Sequence, residues 1–368
     1  MEPANPQLTV VKALHSLAQR AIMQETVQGG SAIMQKTIFV VDDSNANLLI
    51  AKKTLQQQHR VLTFSSAQKM FAVLEKVIPD MILLDIIMPG MDGYEVIKRL
   101  KTSEIHSKIP VIFLTGLSED LNEVHGFELG AVDFITKPFS ESVLLNRIKH
   151  HLHIDELIRE RTEELVQLQN AIVFTLAEMV ESRDANTGGH VERTTVYIRT
   201  LLNAMLERQV YAAEMSTWNL ESVISSARLH DIGKVAIPDT ILNKPDRLTD
   251  EEFTLMKTHA QEGEKMIDHI IARSGNQTFL YNAKLFAGYH HERWDGKGYP
   301  YGLEGTNIPL QGRIMAVIDV YDALISERPY KKVFTHEEAV KIIIDNAGQQ
   351  FDPFIAHVFY EVRDQFKL

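Results

Sequence analysis

The sequence contains no cysteine, which excludes disulfides, thiolate nucleophiles and thiolate metal ligands together. It has no apolar run near the roughly 20 residues that a membrane-spanning helix needs. Residues 1–30 lack the basic start and continuous apolar stretch of a secretory signal, so the chain reads as cytoplasmic with no membrane partner. Positive charge is in deficit: 38 Lys+Arg stand against 49 Asp+Glu, a formal net charge of -11. Nothing therefore attracts the whole molecule to a nucleic-acid backbone, and no recognition helix is visible, which argues against direct DNA binding. Internal repeats and low-complexity tracts are also missing. What remains is 368 residues, 45% hydrophobic and 24% charged, enough for two cored domains. There are 15 histidines, so any tightly held transition metal must sit on nitrogen and oxygen.

Residues 1–35 are Gln-rich and form an extension of unassigned role. From Lys36 short apolar runs recur at Ile38–Val41, Val61–Phe64, Met81–Leu84, Val111–Leu114 and Phe134–Ile135, separated by helical stretches. That rhythm predicts a doubly wound α/β domain over 36–140, with a five-stranded parallel sheet. After Pro138 no Pro or Gly occurs until Gly188. Over 141–173 a helical linker follows, and from Ile158 the helical pattern places Leu165, Leu168, Ile172, Thr175 and Met179 at alternating spacings of three and four. Such a seam suits a coiled coil, although Arg161 interrupts it; a long helix lying on its own domain accounts for it equally. From residue 174 to 368 strand signals nearly vanish, which predicts an all-α second domain.

In an open parallel sheet, ligands bind beyond the carboxyl ends of the strands. Here those ends carry Asp42-Asp43, Asp85, Thr115 and Lys137-Pro138. Singly each has a dull explanation, as a turn former or a solvated cation. Crowded together, three acids repel one another unless a hard cation neutralises them, and Mg²⁺ prefers such oxygens. In order along the chain, Val40-Val41-Asp42-Asp43, Asp85 with Met88-Pro89-Gly90-Met91-Asp92-Gly93, Thr115-Gly116 and Lys137-Pro138-Phe139 closely resemble the receiver domain of two-component response regulators. The resemblance implies a flavodoxin-like fold, Asp85 as phosphoacceptor, and Asp42, Asp43 and Asp85 around Mg²⁺. It also implies Lys137 beside the phosphoryl group, Thr115 and Phe134 as the switch pair, a cis Lys137–Pro138 bond and a sensor histidine kinase as partner.

In the helical part His190, His230-Asp231, His259, His290-His291 and Asp319 stand out. With no thiolate, imidazole and carboxylate favour Fe or Mn, with Zn, Ni or Co as other fits. A carboxylate can bridge two ions, and Asp231 is the candidate bridge for a pair that activates water for phosphodiester displacement. Clustering alone is insufficient: His150, His151 and His153 are as close in sequence, yet read as solvated residues of the linker helix. The surrounding text closely resembles the HD-GYP branch of the HD-domain phosphohydrolases. It comprises Gly188-Gly189-His190, His230-Asp231-Ile232-Gly233-Lys234, Met256-Lys257-Thr258-His259, the run His290 to Pro300 and Asp319-Val320-Tyr321-Asp322. The resemblance implies a helical bundle that hydrolyses cyclic di-GMP to pGpG and, in some members, onward to GMP. It makes His190, His230, Asp231, His259, His290, His291 and Asp319 the metal ligands and gives Lys234, Arg328 and Lys331 roles toward substrate phosphate or leaving group. It also gives the loop of Gly296, Gly298 and Tyr299 a role in meeting GGDEF-domain cyclases.

One position departs from the pattern: Asn186 stands where three-metal relatives carry Glu, and a neutral amide anchors a divalent ion weakly. Two metals are expected, with Asp184 on a different side of a regular helix. The leading expectation is a response regulator, dimeric through its linker, in which phosphorylation of Asp85 controls cyclic di-GMP hydrolysis. The alternatives are a catalytically weak nucleotide-binding or cyclase-docking module, or an enzyme preferring linear pGpG.

Overall fold

The computed structural model describes residues 35–103, 105–116, 120–184, 189–275, 277–326 and 333–367. It divides into two compact units, one through Arg161 and one from Thr162. The first is built on β1 (Thr37–Val41), β2 (Arg60–Phe64), β3 (Met81–Asp85), β4 (Val111–Thr115) and β5 (Asp133–Thr136). All pairings are parallel, in the order β2-β1-β3-β4-β5. Central strands of such a sheet are covered on both faces, so β1, β3 and β4 read as continuous apolar runs rather than alternating ones. Alternate residues feed two layers. Phe39, Val41, Ile82, Leu84 and Phe113 pack with α2 (Ala67–Leu74) and α3 (Gly93–Lys101). Ile38, Val40, Leu83, Ile112 and Leu114 pack with α1 (Asn45–Leu55) and the start of α5 (Glu141–Glu181). The helix α4 (Asp120–Glu128) lies between β4 and β5 in sequence. Strand order reverses between β1 and β3, which places a crevice at their carboxyl ends.

Helix α5 runs unbroken over Glu141–Glu181. Its first turns bury Leu144, Ile148 and Leu152, and its last bury Val173, Ala177 and Val180. Between them Leu165, Leu168, Ile172 and Met179 stay more than half exposed in the single chain. One face of the helix thus packs on its own chain and the seam residues are left exposed. His151 departs from its solvated reading, because its Nε2 lies 2.9 Å from Asp133 Oδ2, beside Arg147, which also bonds Asp133.

In the second unit no strand element follows β5 among the described residues. Its centre is α13 (Leu310–Ile325), buried on every side from Leu310 to Ile318, as a helix apolar all round must be. Around it stand α6 (His190–Glu207), α8 (Leu220–Ala227), α14 (His336–Asp345) and α15 (Pro353–Glu361). The short α7 (Ala212–Met215) and α9 (Asp239–Leu242) fill connections, and α10 (Asp250–Lys257) leads into α11 (His259–Ser274). A smaller cluster joins the end of α5 to α11 and α12 (Thr278–Tyr289) through Val173, Ile267, Phe279 and Ala283. No described helix is long and apolar enough to cross a membrane.

Candidate functional site

At the carboxyl ends of the first unit's strands Asp42 is fully buried, Asp85 nearly so and Asp43 exposed, with an oxygen of each within 4.8 Å of the others. The Lys137 ammonium lies 2.7 Å from Asp42 Oδ2 and 2.7 Å from Asp85 Oδ1, and Asn47 Nδ2 donates to both Asp42 oxygens. Burial pushes the Asp85 carboxyl up from its ordinary value against the pull of Lys137, with Asp42 adding to the rise. Thr115 ends β4 half-buried and donates to the Gly116 carbonyl. Phe134 is buried between Phe113 and Phe127. The Lys137–Pro138 bond is cis.

In the second unit nearly every site residue comes from a helix end. His190 opens α6, His259 opens α11, and His290 caps α12 with His291 following. His230 and Asp231 occupy the turn between α8 and the 3-10 helix Ile232–Ala236, which lets adjacent side chains both point inward. Asp319 comes from within α13. A Cβ on Gly233 would meet the His259 carbonyl at 1.9 Å and Gly263 N at 2.4 Å, so glycine there allows the 3-10 helix to lie against α11.

These ends bring together two groups, His190/His230/Asp319 and His259/His290/His291, each with its ligand atoms within 4.8 Å of one another. Asp231 stands between them. Its Oδ2 is 3.5 Å from His230 Nε2, and its Oδ1 is 3.5 Å from His259 Nε2 and 3.7 Å from His290 Nε2. The ring tautomers follow from the outer bonds. Nδ1 of His230, His259 and His290 each faces a backbone carbonyl, of Ala227, Met256 and Phe286, at 3.0, 2.7 and 2.9 Å. A carbonyl only accepts, so the proton sits on Nδ1 and a neutral ring turns a bare lone pair inward.

Burial holds these rings neutral: His259 and His290 are lowered to about 4, and His230 and His291 are lowered as well. At His190 burial also lowers the ring, but the Asp322 and Asp319 carboxylates more than reverse it, so a proton can be shared across the 3.2 Å to His230 Nε2. In the other group Nε2 of His259 lies 3.3 Å from that of His290 with both ring protons on Nδ1. Lone pairs at that separation repel unless a cation lies among them, so the donor set fits a metal centre. Asp231 is held well below the usual carboxylate range: burial opposes ionisation, but the adjacent Lys234 ammonium outweighs it.

Lys234 lies 2.8 Å from Asp231 Oδ2 and 3.1 Å from Asp184 Oδ2. Burial pulls its ammonium down, and the two carboxylates more than reverse that. Asp184 thus reaches Lys234 from beyond Glu181, where α5 ends and helical phase no longer applies. The Tyr299 ring stacks on His291 with centroids 4.6 Å apart. It sits on a loop with Gly296 at φ +73° and a cis Tyr299–Pro300 bond. Asn186, Arg328 and Lys331 lie outside the described residues.

Two kinds of residue escape a reading of the sequence alone. Asp322 accepts from His190 Nδ1 at 2.8 Å and from Arg193 at 2.7 and 2.9 Å, an outer carboxylate that fixes the ring for ligation. Its place one helical turn after Asp319 is a signal that could have found it. Glu181 and Arg183 grip the site's backbone from the end of α5 and leave no such signal.

A receiver-domain family model matches residues 38–149 and an HD-domain model matches residues 174–355. A Vibrio cholerae serotype O1 protein named "Probable cyclic di-GMP phosphodiesterase" is 42% identical over 342 residues, 89% of this chain and 78% of that one. The cyclic di-GMP phosphodiesterase response regulator RpfG of Xanthomonas campestris is 33% identical over 86% of this chain and 85% of its own length. A cyclic di-GMP phosphodiesterase of Thermotoga maritima is 31% identical over 89% of this chain and 91% of its own length. HD domains are metal-dependent, in keeping with the two ligand groups. With receiver and HD domain in the same order as in relatives matched over most of their length, the chain belongs to the cyclic di-GMP phosphodiesterase family of response regulators.

Proposed function

We propose that the second unit hydrolyses cyclic di-GMP to pGpG, and onward to GMP, at a binuclear metal centre, under control of a receiver phosphorylated on Asp85 by a sensor histidine kinase. The observation that supports it most is Asp231, whose two oxygens face separate histidine groups with inward lone pairs. His190, His230 and Asp319 would hold one ion and His259, His290 and His291 the other, with Asp231 shared. Such a pair, Fe or Mn by ligand preference, supplies a Lewis acid and an acidified water. The remaining work falls to the chain. Asp322 orients His190. Asp231 and Asp184 keep the Lys234 ammonium charged and aimed at the site, where it donates to a phosphate or leaving-group oxygen. The Tyr299 face, stacked on His291, offers one wall to substrate. Arg328 and Lys331 are proposed to hold substrate phosphates.

In the receiver, Asp42, Asp43 and Asp85 would hold Mg²⁺, with Thr115, Lys137 and Phe134 responding to the phosphoryl group. The exposed seam of α5 would pair with a second copy, and the loop at 296–300 would meet a cyclase. Anaerobic purification, metal quantification and product analysis on cyclic di-GMP and pGpG test the activity. Two metals per chain with pGpG as first product support it; a chain that binds no metal and cleaves neither nucleotide refutes it. An Asn186→Glu variant run alongside tests the two-metal count: a third ion in the variant alone supports it.

A further inference from the structure

The start of α6 depends on a residue outside its own cap. Gly189 occupies the cap position at φ +73° with no side chain to accept from the first helical N–H groups, donors that a helix start leaves unsatisfied. Glu181, the last residue of α5, accepts from His190 N through Oε1 at 2.7 Å and from Val191 N through Oε2 at 3.2 Å. Its negative charge also faces the positive end of the α6 dipole. Two residues later the Arg183 guanidinium donates to the carbonyls of Lys234, Val235 and Ile237 at 3.3, 3.1 and 3.2 Å and to Asp239 at 2.7 Å. Those carbonyls belong to the 3-10 segment that follows Asp231 and the residues just after it. The far end of the same helix is fixed elsewhere: Leu144 and Ile148 are fully buried under the receiver sheet, and Arg147 and His151 hold Asp133 of β5.

The geometry points to Glu181 and Arg183 as positioning residues that convert a shift of α5 into a shift of the metal centre. Neither touches the reacting atoms. Glu181 holds the backbone of His190, and Arg183 holds the backbone behind Asp231 and Lys234, so one helix end grips both sides of the site. A rigid helix moved along or about its axis carries both grips with it. Displacement of a reacting constellation by about 1 Å costs on the order of 100-fold in rate. A small difference in the position of α5 between two receiver states therefore suffices to set the activity. This deepens the receiver-controlled hydrolysis proposed above and rests on it.

The test uses the full-length, metal-loaded protein with cyclic di-GMP, with and without Mg²⁺ and beryllofluoride as the phosphoryl mimic at Asp85. The readout is the ratio of the two rates, which a merely structural role would leave unmoved. Wild type is expected to show a ratio departing from one by about fivefold or more. Glu181→Gln, whose amide nitrogen cannot accept, and Arg183→Met are each expected to bring the ratio close to one with two metals per chain retained. Arg183→Lys, which keeps a donor, should recover part of the response. A ratio preserved in both Glu181→Gln and Arg183→Met overturns the inference, as does a response lost only together with the metal. A wild type that hydrolyses the nucleotide at equal rates in both states overturns receiver control and this inference with it. A metal-loaded wild type that hydrolyses nothing overturns the activity itself.

Discussion

The two acid-bearing sites of this chain solve the same electrostatic problem differently. In the receiver, two buried carboxylates share one ammonium, with Lys137 2.7 Å from both Asp42 and Asp85. In the HD domain, most of the groups that converge are neutral imidazoles with inward lone pairs, and the nearby ammonium, Lys234, sits to one side on Asp231 and Asp184. The receiver pocket therefore carries a cation of its own. Of the described residues, none places an ammonium among the inward nitrogens of the histidine groups, in keeping with a metal-dependent domain.

Removing the shared acid is expected to have the largest effect. Asp231→Ala should lower hydrolysis of cyclic di-GMP by roughly 10³-fold, with metal content falling alongside, as read by product analysis and metal quantification. Retention of both metals and most of the activity would mean that the two histidine groups do not depend on a bridge. On the receiver side, Lys137→Met leaves Asp42 and Asp85 buried without their partner, a loss of about 3 kcal/mol. Native-state hydrogen exchange of the β1, β3 and β4 amides reads it, and millimolar Mg²⁺ should restore much of the protection. No recovery with Mg²⁺ would show that Lys137 is structural glue and not a stand-in for the ion. A smaller change is expected from Asp322→Asn, which keeps the shape but weakens the hold on His190 Nδ1. Metal affinity should drop by about 10–100-fold, and equal affinity in titrations would remove the orienting role.

The same contrast explains what the sequence makes legible. The receiver sheet is readable because its central strands are buried on both faces and leave continuous apolar runs. The expected Phe134–Ile135 falls within the observed Asp133–Thr136. The histidine ligands are readable by their motif text but not by periodicity, because they come from helix ends, where spacing along one helix says nothing of what another delivers. The supporting residues fail for the same reason. Asp322 reaches His190 across 132 positions and Arg183 reaches Lys234 across 51, and only folding brings such pairs together. Asp184 lies past the end of α5 at Glu181, where helical spacing no longer says which way a side chain points. His151 reads as solvated because its partner, Asp133, sits on a strand 18 residues earlier.

The two sites should also answer acid in opposite directions. In the chelated protein His259 and His290 are lowered to about 4 from an ordinary 6.5. Between those values the unfolded chain binds protons that the folded one refuses, so stability must fall as pH falls from about 6.5 to about 4. Each such histidine contributes a slope of ~1.4 kcal/mol per pH unit where the difference is complete. Asp85 behaves in the reverse sense. Its carboxyl is raised by burial, so the folded receiver takes up a proton more readily than the unfolded one, and acidification toward that raised value relieves the cost of a buried charge. Both tryptophans, Trp218 and Trp294, lie in the second unit, so their fluorescence during urea unfolding reports the histidine side selectively. With chelator, the midpoint at pH 5 should fall well below that at pH 7, while hydrogen-exchange protection factors in β1 and β3, referred to the intrinsic rate at each pH, should rise or hold steady. Restoring the metal should raise the midpoint at every pH and leave the tryptophan-detected slope at least as steep, because bound ions add their binding energy to the folded state and keep its imidazoles deprotonated while the unfolded chain still takes up protons. A chelated protein whose tryptophan midpoint ignores pH would mean that these imidazoles are not held neutral by burial, and the case for an ion among their facing lone pairs would go with it.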